Sequence, residues 1–342
     1  MTPNEFRTEL KHLSGGYLFC GEEDYLKQRY LESVRKILVG EDDIFNHIRL
    51  NADTFSPDAL AAAIEMLPVM AEKKLVEVSG ISVSAMTEAE LEELCGVFLL
   101  LKNNKDTVLI FYTEAGDLEP GTAKQPDKRF TTLAEVITVV VFPRETPVRL
   151  ADWTAKHFVA EGIVAPPLAV NALLNRCGCN MYTLAAEIEK LSAYLKSKGR
   201  ETLTEDDVRL VASESKEIAA FDFTDALLQG HVDEAFSILT ELKLRKERPE
   251  VLLGSIARVM CDLLTVRILY ESGMTAAEIA KKLKKHEYRI GLFLKSAQRT
   301  TVSRLTYLVE VCYEADWRIK STSVESYAVL DRLAAEAVAR NG

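Results

Sequence analysis

The 342-residue chain has no apolar run of the about 18 or more residues that a bilayer span needs; Val108–Tyr112 and Val139–Phe142 stop within a strand's length. Membrane insertion is therefore not expected. The first ten residues carry Glu5, Arg7 and Glu9 and no apolar stretch, so no secretory signal is read there and a cytoplasmic location, with no membrane partner, is expected. Cysteine is sparse. Cys20, Cys95, Cys177, Cys179, Cys261 and Cys312 include no C-x-x-C pair, which excludes a disulfide scaffold and predicts reduced thiols. Histidine is scarcer still: His12, His47, His157, His231 and His286 are dispersed, and Cys177-x-Cys179 lacks partners at zinc spacing, so no metal site is expected. No G-x-S-x-G places a serine on a strand-to-helix turn, which argues against an unrelated hydrolase, and no repeat or low-complexity tract is visible.

What is present is an ordinary globular composition, 48% hydrophobic and 27% charged, on a chain long enough for two or three domains at about 150 residues each. The formal charge of −10 is unevenly placed: residues 1–144 carry 15 basic and 24 acidic side chains, residues 145–342 carry 27 and 28. A net-acidic chain is a poor nucleic-acid binder by itself, although a local basic stripe within a complex can touch phosphates. Charge points to protein partners.

Residues 1–142 alternate apolar runs with helical patterns, the runs being 17–20, 45–50, 75–79, 108–112 and 137–142. This predicts a βαβ series. Leu26, Tyr30, Val34, Ile37 and Leu38 fall on one helix face, Leu91, Leu94, Cys95, Phe98 and Leu101 on another, and Thr87 with Glu90 makes a capping box. The run 108–112 is apolar without alternation, as in a parallel strand covered on both faces. After Pro143 and Pro147 the strand signal ends, and the remainder reads as helices. The expected organisation is a RecA/AAA+-like parallel-sheet domain (1–144), a small helical lid (145–214) with Asn180 and Thr204/Asp207 as caps, and a C-terminal helical bundle (215–342). Five to six helices are expected in that bundle, with Val251, Leu252, Ile256, Val259, Met260, Leu263 and Leu264 along one apolar face.

Such a plan raises the question of nucleotide. A phosphate loop needs G-x-x-x-x-G-K-[ST] after the first strand, but the turn here reads Gly21-Glu22-Glu23-Asp24-Tyr25-Leu26. Three carboxylates would repel a triphosphate, and the lysine and hydroxyl are missing. The third strand, Leu75-Val76-Glu77-Val78-Ser79-Gly80, also lacks a terminal acidic pair for magnesium. No ATP hydrolysis, catalytic residue or cofactor is expected; the acidic triplet also reads as simple compensation of a helix dipole.

At these residues the chain resembles the delta subunit family of the bacterial DNA polymerase III clamp loader. The resemblance spans nearly the full length and is carried by 17–26 (YLFCGEEDYL), 67–75 (LPVMAEKKL), 106–109 (DTVL), 184–191 (LAAEIEKL) and 221–228 (FDFTDALL). It implies an ATPase-inactive subunit of the polymerase III holoenzyme that opens the sliding clamp (beta subunit) while motor subunits supply hydrolysis. The implied partners are the clamp, the motor subunits, delta prime, and primed DNA within the complex, with the C-terminal bundle as an oligomerising collar. It further implies that an apolar pair enters a pocket of the clamp. That pair maps to Val69 and Met70, flanked by Leu67 and by Pro68, which is expected to end the preceding helix. Relatives often have an aromatic residue in the pair, so Val-Met departs from the pattern and makes a smaller, adaptable anchor. By pattern alone Val69 and Met70 read as interior residues; the resemblance reverses that reading.

Lys281, Lys282, Lys284, Lys285, His286 and Arg289 form the densest basic run, following a Thr275/Glu278 capping box. A contact to DNA or a neighbouring subunit and a plain solvated face both fit. Two rival functions stand beside clamp opening: an AAA+ ATPase with a degenerate site, and a DNA-binding regulator using residues 275–296.

Overall fold

The computed structural model describes residues 1–39, 45–122, 125–283 and 285–339. The chain forms two compact units, 1–145 and 146–342.

The first unit is built on five parallel strands: β1 (Gly15–Cys20), β2 (His47–Leu50), β3 (Lys74–Val78), β4 (Thr107–Tyr112) and, after the antiparallel pair β5 (Gly121–Thr122) and β6 (Gln125–Pro126), β7 (Thr138–Val141). The order β2-β3-β4-β1-β7 puts the first strand between the fourth and the last, the parallel-sheet plan of RecA/AAA+ type that the sequence predicts. Among the described residues five α-helices flank it: α1 (Pro3–Glu9), α2 (Asp24–Leu38), α3 (Pro57–Glu65), α4 (Glu88–Leu99) and α5 (Lys128–Ala134). Successive strand residues serve opposite layers. Tyr17, Phe19, Val108, Ile110 and Tyr112 pack with Phe6, Leu31 and Val34, whereas Leu18, Cys20, Leu109 and Phe111 pack with Leu60, Leu94, Phe98 and Leu133. All six residues of β4 are buried, as its unalternated pattern requires.

The second unit is helical: α6 (Pro147–Ala160), α7 (Pro167–Cys177), α8 (Met181–Ser197), α9 (Glu205–Val211), α10 (Lys216–Gln229), α11 (Val232–Leu244), α12 (Pro249–Glu271), α13 (Ala276–Leu283), α14 (Glu287–Ala297), α15 (Val302–Ser321) and α16 (Ser326–Ala339). Thus seven helices, not five to six, follow residue 215 among the described residues. The caps at Asn180, Thr204 and Thr87 form as the sequence predicts. Two face assignments fail at helix ends: Ile37, in the last turn of α2, and Val251, in the first turn of α12, are 49% and 43% exposed. Each stands about 100° round its helix from an end residue that does face the core, Leu38 in α2 and Leu252 in α12. Among the described residues no helix is long and apolar enough to cross a membrane.

Candidate functional site

The two edges of the parallel sheet are built differently. At the C-terminal edge, the turn after β1 depends on Gly21, whose φ of +103° suits glycine and where a Cβ would lie 2.4 Å from the Phe142 carbonyl oxygen. The carboxylates that follow are held by the protein itself. Glu22 pairs with Arg144 at 3.0 Å, and Asp24 pairs with Lys27 at 2.8 Å and accepts from the Tyr112 hydroxyl at 3.2 Å. Lys27 is wholly buried, and its ammonium also donates to the carbonyls of Gly21 (2.8 Å) and Thr113 (2.7 Å). An internal cation thus satisfies the strand ends. Burial pushes the Glu23 carboxyl up to about 7, against the opposing pull of Arg144.

At the N-terminal edge, the segment entering β3 is displayed. Ser56 caps α3, accepting from the Ala59 amide at 3.0 Å, and Pro57 occupies its first turn. The helix ends at Glu65, with Met66 extended at ψ 137°, so the expectation that Pro68 itself ends it is corrected. Proline restricts the residue before it, and the helix stops ahead of Leu67. The released carbonyls of Ala63 (2.6 Å), Ile64 (3.1 Å) and Met66 accept from the Lys74 ammonium, which is 1% exposed. Thr107 also donates to the Ile64 carbonyl, at 3.1 Å. Burial lowers the pKa of Lys74.

Beyond the helix, Met66, Leu67, Val69 and Met70 are 54%, 75%, 48% and 103% exposed, with Pro68 half-buried between them. Contiguous apolar exposure of this kind marks an interaction surface, and isolated exposed apolar residues do not. The backbone beneath it is fixed. Asn46, 3% exposed, donates from Nδ2 to the Val69 carbonyl at 3.0 Å and accepts at Oδ1 from the Val69 amide at 2.7 Å. Met70 adopts φ +53°, a left-handed conformation uncommon outside glycine, and Lys73 is tied to the Leu13 carbonyl at 2.5 Å. All four residues of the expected clamp-binding segment therefore share one exposed loop. Sequence reasoning missed Met66, Asn46 and Lys74; the spacing of Asn46 from Val69 leaves no local pattern to find.

Next to this loop, Glu77 of β3 accepts from Arg35 (2.9 Å) and lies 2.9 Å from His47, tying α2, β2 and β3 together. Burial alone would raise this carboxyl, but the hydrogen bonds of His47 and Arg35 outweigh it and hold it at about 2.

The basic run does not form one face. Lys281 and Lys282 are exposed and carry no ion pair among the described residues, whereas Lys285 pairs with Asp262 at 2.8 Å. Arg289 pairs with Glu217 at 3.2 Å and lies over the Phe293 ring at 5.3 Å, and Lys284 lies outside the described residues. The Thr275/Glu278 capping box is formed, with the Glu278 carboxylate accepting from the Thr275 amide at 2.8 Å.

A RecA/AAA+-type sheet whose nucleotide turn is filled by its own lysine, followed by an all-helical unit, defines an AAA+-like protein without a phosphate loop. Family models described as DNA polymerase III, delta subunit, and its C-terminal domain match residues 17–142 and 217–336. The chain belongs to the DNA polymerase III delta subunit family, which places it in the clamp loader of DNA replication. It is 21% identical over 329 residues to DNA polymerase III subunit delta of Bacillus subtilis, covering 95% of this chain and 93% of the relative. It is 23% identical over 336 residues to the Escherichia coli subunit, covering 93% and 90%. The solved Bacillus subtilis DNA clamp loader delta protein shares the fold, with a TM-score of 0.77 at 20% identity over 99% of this chain and 100% of that one.

Proposed function

We propose that this chain binds the sliding clamp and opens it, so that the ATP-driven loader places the ring on primed DNA. Met66, Leu67, Val69 and Met70 form the wedge, and one observation carries the reading: four apolar side chains are exposed on a loop whose backbone is anchored at Met66 and Val69. An anchored apolar loop is suited to filling a hydrophobic pocket on a partner, where a few central residues supply most of the binding energy. The motor subunits and delta prime supply hydrolysis and assembly. The helical region 215–342 serves as the collar that joins them, and the exposed Lys281 and Lys282 are available to DNA or a neighbouring subunit.

The test is a clamp titration beside a thermal melt for wild type and Val69→Ser/Met70→Ser. Loss of a central anchor costs about 2 kcal/mol, roughly thirtyfold in affinity, whereas exposed substitutions move stability within about 0.5 kcal/mol. Binding should fall with the melt unchanged. Unchanged affinity would place the clamp contact elsewhere.

A further inference from the structure

We propose that Asn46 and Lys74 are positioning residues that set the loop 66–70 in its binding shape before any partner arrives. This rests on the wedge reading above. The two side chains act on backbone, not on the displayed groups: Asn46 closes a two-point bond with both the amide and the carbonyl of Val69, and Lys74 gathers three carbonyls at the end of α3. Both are buried beneath a loop whose apolar side chains point to solvent, so neither would itself touch a docked protein.

The chemistry of each residue is specific. An amide sets a donor group beside an acceptor group, the pair that a peptide unit requires; a carboxylate at position 46 would turn a lone pair towards the Val69 carbonyl. Lys74 brings three donors to carbonyls that a helix end otherwise leaves to water. Just past the Val69 anchor Met70 sits at φ +53°, a strained conformation that persists only where the surroundings hold it. Fixing a residue's backbone costs conformational entropy. With the anchors in place, that ordering is completed during folding and is not subtracted from the binding energy.

The experiment uses the full chain with Asn46→Ala and Asn46→Asp, read by clamp titration and by amide hydrogen exchange. Asn46→Ala should weaken clamp binding about tenfold and speed exchange at the Val69 amide, whose acceptor is removed; Asn46→Asp, which sets an acceptor against the Val69 carbonyl in a buried site, should weaken binding at least as much. Leu133→Ala, a fully buried residue of α5, is the control for general destabilisation and should leave affinity within twofold where the chain is folded. In the Val69→Ser/Met70→Ser background, Asn46→Ala should cost no further affinity, because its effect passes through the wedge. An equal loss in both backgrounds overturns the proposal, as does unchanged exchange at Val69. If Val69→Ser/Met70→Ser keeps full affinity, the wedge reading fails by itself, and exchange at Val69 in Asn46→Ala still decides whether Asn46 holds the loop.

Discussion

At the C-terminal edge of the sheet Lys27 is buried against a carboxylate and two carbonyls, and the surrounding turn is closed by Glu22–Arg144 and Gly21. At the N-terminal edge Lys74 is buried as deeply, against carbonyls alone, and the turn it supports presents four apolar side chains to water. Open α/β sheets bind ligands beyond the carboxyl ends of their strands, so the closed edge is the one where nucleotide would be sought. The same residue type thus seals one end and displays the other. What differs is the outward chemistry: charged groups paired internally on one side, unpaired apolar surface on the other.

Replacing Lys27 tests the sealed edge most severely. Lys27→Met takes the ion-pair partner from the partly exposed Asp24, which keeps the Tyr112 hydroxyl, and leaves two carbonyls without a donor, each buried unsatisfied group costing about 1–3 kcal/mol. Denaturant unfolding should show this loss, while clamp affinity of the folded fraction stays at the wild-type value. A change in affinity without loss of stability would erase the distinction between the edges.

The Glu77 cluster ranks next. Its folded pKa of about 2 lies below the ordinary 4.5, so its stabilisation is complete above pH 4.5 and is lost as pH falls through about 2. The full amount is roughly 3 kcal/mol at about 1.4 kcal/mol per pH unit. Acid titration of stability should show that slope in wild type and a flattened one in Glu77→Gln.

Glu23 should respond in the opposite sense. Its folded pKa of about 7 lies above the ordinary 4.5, so its protonated form favours folding, and that contribution is lost as pH rises through about 7. Glu23→Gln should therefore melt higher than wild type at pH 8 and alike at pH 4. Equal melting at both values would mean that burial does not penalise this carboxylate.

The smallest stability effect belongs to the displayed edge. Met66→Ser/Leu67→Ser should move unfolding free energy within about 0.5 kcal/mol, since both side chains are exposed. Clamp titration should nevertheless weaken several-fold; a collapsed melt would show that these residues are core and that the two edges do not differ.

Local sequence already determined a good deal. The five parallel strands follow from their apolar runs, and the caps at Thr87, Asn180 and Thr204 from short-range side-chain chemistry. The turn Gly21–Asp24 lacks the lysine and hydroxyl of a phosphate loop, a fact of composition that needs no coordinates. These features depend on residues within four positions of one another, where period and propensity act directly.

Tertiary structure alone decided which apolar residues face outward. Val69 and Met70 look like core by hydropathy, and only the end of α3 at Glu65, the bond from Asn46 and the carbonyls taken by Lys74 turn them to solvent. It likewise decided that Lys27 would lie inside, reaching Thr113 across 86 residues of chain. Hydrophobicity is non-directional, so composition favours burial in general. Hydrogen bonds between distant segments are directional, and they select which groups stay out.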